Sequence, residues 1–177
     1  MIKNQSDKTQ DMKNKVSLVK SISAFIIKVA LLFFFVIVIF NYVLGIVKVK
    51  DQGMSPSIKP ADLVFIDRLN KKYVAKDLVS IKYEDELIIS RVVAIGGDTV
   101  DINSEGLLVN GVLQQTMYEQ ETLLYEGGFK GPVTLKENEI FVLGDNRTNS
   151  IDSRVFGPIE INKTIGNVMF FLRRRNF

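Results

Sequence analysis

The clearest pattern in the chain is one long apolar segment near the N-terminus. Residues 24–47 read AFIIKVALLFFFVIVIFNYVLGIV, and residues 29–47 form a run of 19 without a charged side chain. Because a helix rises about 1.5 Å per residue, about 20 apolar residues cross a hydrocarbon layer of about 30 Å. The pattern predicts a transmembrane helix over residues 24–47, with Lys28, its only charge, reaching toward the headgroups.

The segments on either side of this run predict how the chain is oriented. Residues 1–23 are polar and lysine-rich, which favours a disordered cytoplasmic tail and, by the positive-inside rule, an extracellular C-terminal domain. A cleaved signal peptide is the alternative, but its apolar region would span about 7–15 residues and end in small residues. Here the run is longer and is followed by Lys48 and Lys50, which favours an uncleaved, single-pass anchor in the cell membrane.

Residues 48–177 show short β-branched runs separated by turns, the pattern of a strand-rich domain. Asn110-Gly111 between two apolar runs indicates a two-residue hairpin. The fold class we predict is mainly β, an antiparallel β-sheet domain preceded by one transmembrane α-helix. The predicted strands are 63–66, 78–83, 87–95, 100–102, 107–109, 112–114, 140–143 and 166–172.

Charge and composition exclude several functions. The net charge is +3 and the pI about 9.0, but residues 1–50 carry +6 and residues 51–177 carry −3. The basic end therefore reflects membrane topology and predicts no nucleic-acid partner.

The chain has no His and no Cys, which excludes Ser-His-Asp and Cys-His catalysis and zinc sites of the usual kinds. We therefore expect no metal and no cofactor, and covalent catalysis would need Ser or Thr with a base such as Lys. An extracellular domain without cysteine also fits a Gram-positive surface.

Three polar segments could carry chemistry: residues 53–66, 90–98 and 144–157. The third reads GDNRTNSIDSRVFG and packs two acids, two arginines, two asparagines and two serines between apolar runs. From composition alone, it could simply be a loop held by Asx turns and an ion pair of Asp152 with Arg154 or Arg91.

This third segment also matches the pattern G-D-N-x-x-x-S-x-D-S-R-x-x-G of the type I signal peptidases at every specified position. Members of that family are membrane-anchored serine endopeptidases that use a Ser-Lys dyad. The resemblance covers most of residues 25–177 and implies that Ser150, Asp152 and Arg154, with Arg91 from the second segment, form the loop that supports the catalytic site.

Both catalytic positions depart from the family. Gly53 stands where the pattern S-M-x-P-T-L has its nucleophile, and Ser90 stands where K-R-V-I-G-x-P-G-D has its general base. Gly53 has no side chain to attack with and Ser90 is not basic near neutral pH. The chain therefore resembles a catalytically defective member, similar to the signal-peptidase-like proteins of streptococcal pilus loci.

A peptide-binding surface would remain after such a loss. The resemblance implies that Met54, Ile58 and Ile89 line shallow pockets for an extended peptide, which strand addition could hold without catalysis. Asp51 brings a carboxylate that would repel a developing oxyanion. It could equally be a solvated residue near a lysine pair.

The predicted function is to bind exported proteins, with pilins as the first candidates, and to assist their processing or assembly at the membrane. The predicted partners are secreted or pilin proteins and membrane lipid. A sortase and an active signal peptidase, with which the chain could compete for substrates, are further candidates. The alternative is an active signal peptidase with a rearranged dyad drawn from Ser55, Ser57 and Lys82, since Lys82 is expected on the strand paired with Ile88 and Ile89. The basic residues 173–175 are expected to be solvated rather than to bind lipid.

Overall fold

A computed structural model of the protein describes residues 3–115, 118, 122–125 and 127–173. The chain divides into two compact units, Met1–Asn41 and Tyr42–Phe177. Helix α1, Lys3–Val38, makes up most of the first unit and continues into a π-helical turn, Ile39–Val43. The helical segment Ser17–Val43, which includes this turn, is long and apolar enough to cross a membrane.

The limits of this helix differ from those expected. A disordered tail is predicted over residues 1–23, but the structure is helical from Lys3. These residues contain no Gly or Pro, so a helix nucleated in the apolar run can extend through them. At the other end, the predicted span reaches residue 47, whereas Leu44–Lys48 forms strand β1 because it pairs with a strand of the second unit.

The second unit is built from two antiparallel sheets. The strands after β1 are β2 Leu63–Asp67, β3 Leu78–Tyr83, β4 Glu86–Ile95, β5 Thr99–Asn103, β6 Gly106–Val109, β7 Val112–Leu113, β8 Val133–Thr134, β9 Glu139–Leu143, β10 Ile159–Glu160 and β11 Thr164–Leu172. The seven-stranded sheet has the order β1-β2-β11-β3-β4-β9-β10, and the four-stranded sheet has the order β7-β6-β5-β8. Helix α2, Ser153–Phe156, and a 3-10 turn, Ile161–Lys163, complete the unit.

The predicted fold class is confirmed, and all eight predicted strands are present within two residues of their expected limits. Asn110 and Gly111 have φ of 53° and 77° and join β6 to β7, as a two-residue hairpin turn requires. The prediction missed β1, β8 and β10. Two of these are only two residues long, and β1 is hidden within the apolar run.

Strand β4 contributes to two parts of the hydrophobic core because its side chains alternate between the two faces of the sheet. Ile88 and Val92 pack with Val79 and Ile81 in one cluster. Ile89 packs in another cluster that contains Met54 and Ile58. The segment that holds Gly53 is therefore anchored to β4 through buried side chains.

Strand β11 approaches the end of β2 closely at Gly166. A Cβ atom there would lie 2.1 Å from the backbone oxygen of Asp67, far inside contact distance. At Gly45 on β1, an added Cβ would instead meet the flexible Arg68 side chain at 3.2 Å.

We predict that Gly166→Ala lowers the free energy of unfolding by about 1–3 kcal/mol, because backbone must move to admit the methyl group. Gly45→Ala is the matched control and should cost less, since an arginine side chain can rotate away. Denaturant unfolding of the full chain in detergent measures both changes. Equal losses would mean that the approach of β11 to β2 is not tight.

Candidate active site

The segment after β1 is a tight turn that lies over the core. Val49 N–H donates to Asp62 O at 3.0 Å, and Ile58 N–H donates to Met54 O at 2.9 Å. Met54 and Ile58 are 1% and 0% exposed. These two side chains are packed in the core instead of lining a surface pocket as expected, because they anchor the turn on the sheet.

Gly53 lies at the top of this turn, against the third polar segment. Its N–H donates to Asp51 Oδ1 at 2.7 Å, and its carbonyl accepts a hydrogen bond from Asn146 N at 2.9 Å. A Cβ atom on Gly53 would lie 3.0 Å from Asp51 Oδ1 and 3.3 Å from Ser150 Cβ. Any side chain at position 53 would therefore project beside both Ser150 and the carboxylate of Asp51.

The loop over residues 144–157 is organised by the buried carboxylate of Asp152. Its oxygens accept hydrogen bonds from Gly144 N at 3.0 Å, Ser150 Oγ at 2.7 Å and Arg154 Nη2 at 2.8 Å. Asp152 is 0% and Arg154 is 1% exposed, so this ion pair is removed from water. The sequence left Arg154 and Arg91 as alternative partners of Asp152, and in the structure the partner is Arg154.

Arg154 also connects this loop to neighbouring residues. Its Nη2 donates to Ser150 Oγ at 2.9 Å, and its Nη1 donates to Leu123 O at 3.2 Å. The guanidinium carbon lies 4.7 Å from the centroid of the Tyr125 ring, a cation–π arrangement. Several donors and acceptors therefore hold Ser150 in one position beside Gly53.

Gly144 is required by the same close packing. A Cβ atom on it would lie 2.3 Å from Ser150 Cβ and 2.6 Å from the carbonyl oxygen of Gly53. The loop and the turn therefore meet at a point where only a glycine fits.

Arg91 pairs with Asp145. Arg91 Nε and Nη2 donate to the two carboxylate oxygens at 2.8 and 2.7 Å. These hydrogen bonds raise the pKa of the Arg91 guanidinium, against the opposing effect of burial. The Ser57 hydroxyl also donates to Asp145 and lies 2.6 Å from the hydroxyl of Tyr118. Ser57 is thus bonded to a carboxylate and not to an amine.

Ser90, at the position of the family's base, and Lys82, the base of the predicted rearranged dyad, lie in different surroundings. Ser90 is 1% exposed and pairs with Val79 across β3 and β4. Lys82 lies, as predicted, on the strand that pairs with Ile88 and Ile89, and its own partner there is Leu87. Its ammonium is exposed and forms an ion pair with Asp85 at 3.0 Å.

A groove of about 540 Å³ runs beside Gly53. Ile88, Ile89, Ile151 and Val155 supply its apolar surface, and Asp51, Glu86 and Ser150 are among its polar residues. Of the residues predicted to bind peptide, Ile89 and Asp51 lie on this groove. The described part of the chain contains no cluster of acidic residues that could hold a metal ion.

Some residues at the site had no signal in the sequence. Arg173 is exposed, as expected, but its Nη2 also donates to Ser57 O at 2.7 Å and its Nε lies 3.6 Å from Asp62, contacts that the sequence did not indicate. Tyr125 falls in a stretch without periodicity. The other two members of the basic run, at positions 174 and 175, lie outside the described residues.

Comparison with known proteins identifies the family. The model described as "Signal peptidase, peptidase S26" matches residues 19–172. Signal peptidase I S of Bacillus subtilis is 28% identical over 159 residues, which cover 83% of this chain and 84% of that protein. Signal peptidase I of Bacillus caldolyticus is 31% identical over 150 residues, which cover 73% and 77%. A crystal structure of a signal peptidase I from Enterococcus faecalis aligns at 24% identity and a TM-score of 0.44, over 54% of this chain and 96% of that one. The chain belongs to the S26 signal peptidase family.

The buried Asp152–Arg154 pair is expected to stabilise the loop over residues 144–157. Asp152→Ala leaves the Arg154 cation buried without its carboxylate, and we expect a loss of about 3–5 kcal/mol in the free energy of unfolding. Asp85→Ala, which breaks the exposed pair with Lys82, is the control and should leave the unfolding midpoint unchanged. Urea unfolding of the full chain checks both, and similar midpoints for the two variants would contradict the role given to Asp152.

Proposed function

We propose that this protein is a membrane-anchored member of the signal peptidase I family that binds exported proteins without cleaving them. The supporting observation is the geometry at Gly53. Asp51 and Ser150 lie close to this position, and the Asp152–Arg154 pair holds the Ser150 hydroxyl, yet position 53 carries no nucleophile. Ser90, at the position of the general base, is a buried hydroxyl that cannot take a proton near neutral pH.

Asp51 supports the same proposal. Acyl transfer needs hydrogen-bond donors aimed at a developing negative charge. The N–H of Gly53 instead donates to the carboxylate of Asp51 at 2.7 Å. A carboxylate at this place disfavours an oxyanion, so the site is better suited to binding than to hydrolysis.

The proposed setting is a cell membrane crossed once by the segment Ser17–Val43, with the N-terminus in the cytoplasm and the β domain outside. The lysines before the apolar run support this orientation through the positive-inside rule. Exported proteins are the proposed ligands, and pilins are the first to test, because of the resemblance to proteins of pilus loci. Capture with a sortase or with an active signal peptidase would show which assembly the protein serves.

The first test is cleavage. The full-length protein in detergent, incubated with an exported precursor that has a signal peptide, should bind the precursor and leave it intact. An active S26 peptidase assayed in parallel shows that the precursor is cleavable. Specific cleavage that disappears in Ser55→Ala, Ser57→Ala or Lys82→Ala would overturn the proposal in favour of a rearranged active site.

The second test rebuilds the dyad. Gly53→Ser with Ser90→Lys supplies both groups, but the new amine must approach the serine, and hence Asp51. A nearby carboxylate raises the pKa of a lysine by about 1–3 units, and each unit lowers the neutral fraction about tenfold. We therefore expect Asp51→Asn, added to the two changes, to raise the cleavage rate about tenfold or more at neutral pH.

The two single changes are the controls, because a nucleophile or a base alone should leave the rate at background. The pH–rate profile should move to lower pH when Asp51 is replaced. A folded triple variant no faster than the double variant would mean that Asp51 does not oppose hydrolysis.

A further inference from the structure

The charges around the groove beside Gly53 are of one sign. Its charged residues are Asp51 and Glu86, and no Lys or Arg is among the described residues that line it. Within the described part of the chain, neither carboxylate takes part in an ion pair, and the nearby Lys82 pairs with Asp85. The groove therefore presents negative charge to whatever enters it.

The carboxylate of Asp51 is held in place. One of its oxygens accepts the N–H of Gly53 at 2.7 Å, so the side chain is oriented before any ligand arrives. A carboxylate offers about four lone-pair sites, so this bond leaves acceptor capacity for a cation. Glu86 adds a second negative charge where β4 begins, at the acidic turn formed by residues 84–86.

The apolar side of the groove suits a long aliphatic stem. Ile151 and Val155 are 54% and 42% exposed, next to the more buried Ile88 and Ile89. Lysine and arginine side chains bury their methylene groups along such surfaces and leave the charged end at a polar group. An apolar surface together with acidic groups is therefore complementary to a basic side chain.

We propose that this groove binds an extended segment of an exported protein through a lysine or arginine whose cation pairs with Asp51 and Glu86. This inference rests on the proposed binding function and specifies its ligand. Gly53 lacks the side chain of a nucleophile, and Asp51 places a carboxylate where an oxyanion would be unfavourable. Both features therefore suit binding of a cation better than hydrolysis.

The test compares two short alanine-rich peptides that differ at one central residue, lysine or norleucine. The two side chains share the stem and differ in charge. Binding to the full-length protein in nanodiscs of neutral lipid is measured by fluorescence anisotropy, with empty nanodiscs as blank. We expect the lysine peptide to bind about fivefold tighter, with the preference reduced at high salt.

Variants distinguish binding in the groove from a general effect of the protein's negative charge. Asp51→Asn and Glu86→Gln should each reduce the preference for lysine and leave binding of the norleucine peptide unchanged. Asparagine can still accept the N–H of Gly53, so the turn should persist. Glu105→Gln, in the exposed turn between β5 and β6, removes one negative charge elsewhere and should have no effect.

Each negative outcome has a distinct meaning. Equal binding of the two peptides, or a lysine preference that survives both groove variants, would overturn the inference and leave the proposed binding function standing. If neither peptide binds and an exported precursor is not retained either, the proposed function fails together with the inference.

Discussion

The arrangement at the site depends on one buried ion pair. Asp152 and Arg154 are almost completely removed from water, and the carboxylate also accepts hydrogen bonds from Gly144 N and Ser150 Oγ. Isolated charges in such a place would be very unfavourable, so the loop must adopt the conformation that keeps them paired. That conformation brings Ser150 against Gly53, and the shape of the groove follows from it.

The same constraint accounts for the framework around positions 53 and 90. The ion pairs Arg91–Asp145 and Asp152–Arg154 and the close contact at Gly144 stabilise the fold, since each fills or neutralises buried space. Gly53 and Ser90 contribute no charge to these pairs, and Ser90 is itself buried in the sheet.

Sequence patterns predicted the structure correctly where neighbouring residues determine it. Runs of β-branched residues bounded by turns predicted β3 and β4, because such side chains favour extended backbone. Asn110-Gly111 predicted a hairpin because both residues tolerate positive φ. The composition of residues 144–157 allowed a simple polar loop, and only the resemblance to a family implied that it supports the site.

Sequence reasoning failed where distant residues decide. Met54 and Ile58 were expected in surface pockets, but contact with Ile89 from β4 buries them. Lys82 lies on the expected strand, but its ammonium is exposed and pairs with Asp85. Arg173, near the C-terminus, holds the carbonyl of Ser57 because β11 crosses the sheet beside β2.

By itself, the sequence determined the apolar segment able to cross a membrane, the antiparallel β class and the absence of a nucleophile at position 53. These properties depend on residue identity and on neighbours a few positions away. Only the tertiary structure decided which arginine pairs with Asp152, which apolar side chains are buried, and that Asp51 and Glu86 lie on one groove. The burial of these apolar side chains and the shared groove depend on contacts between segments far apart in the chain. The Asp152–Arg154 pair is local in sequence, but it depends on burial that no local pattern reveals.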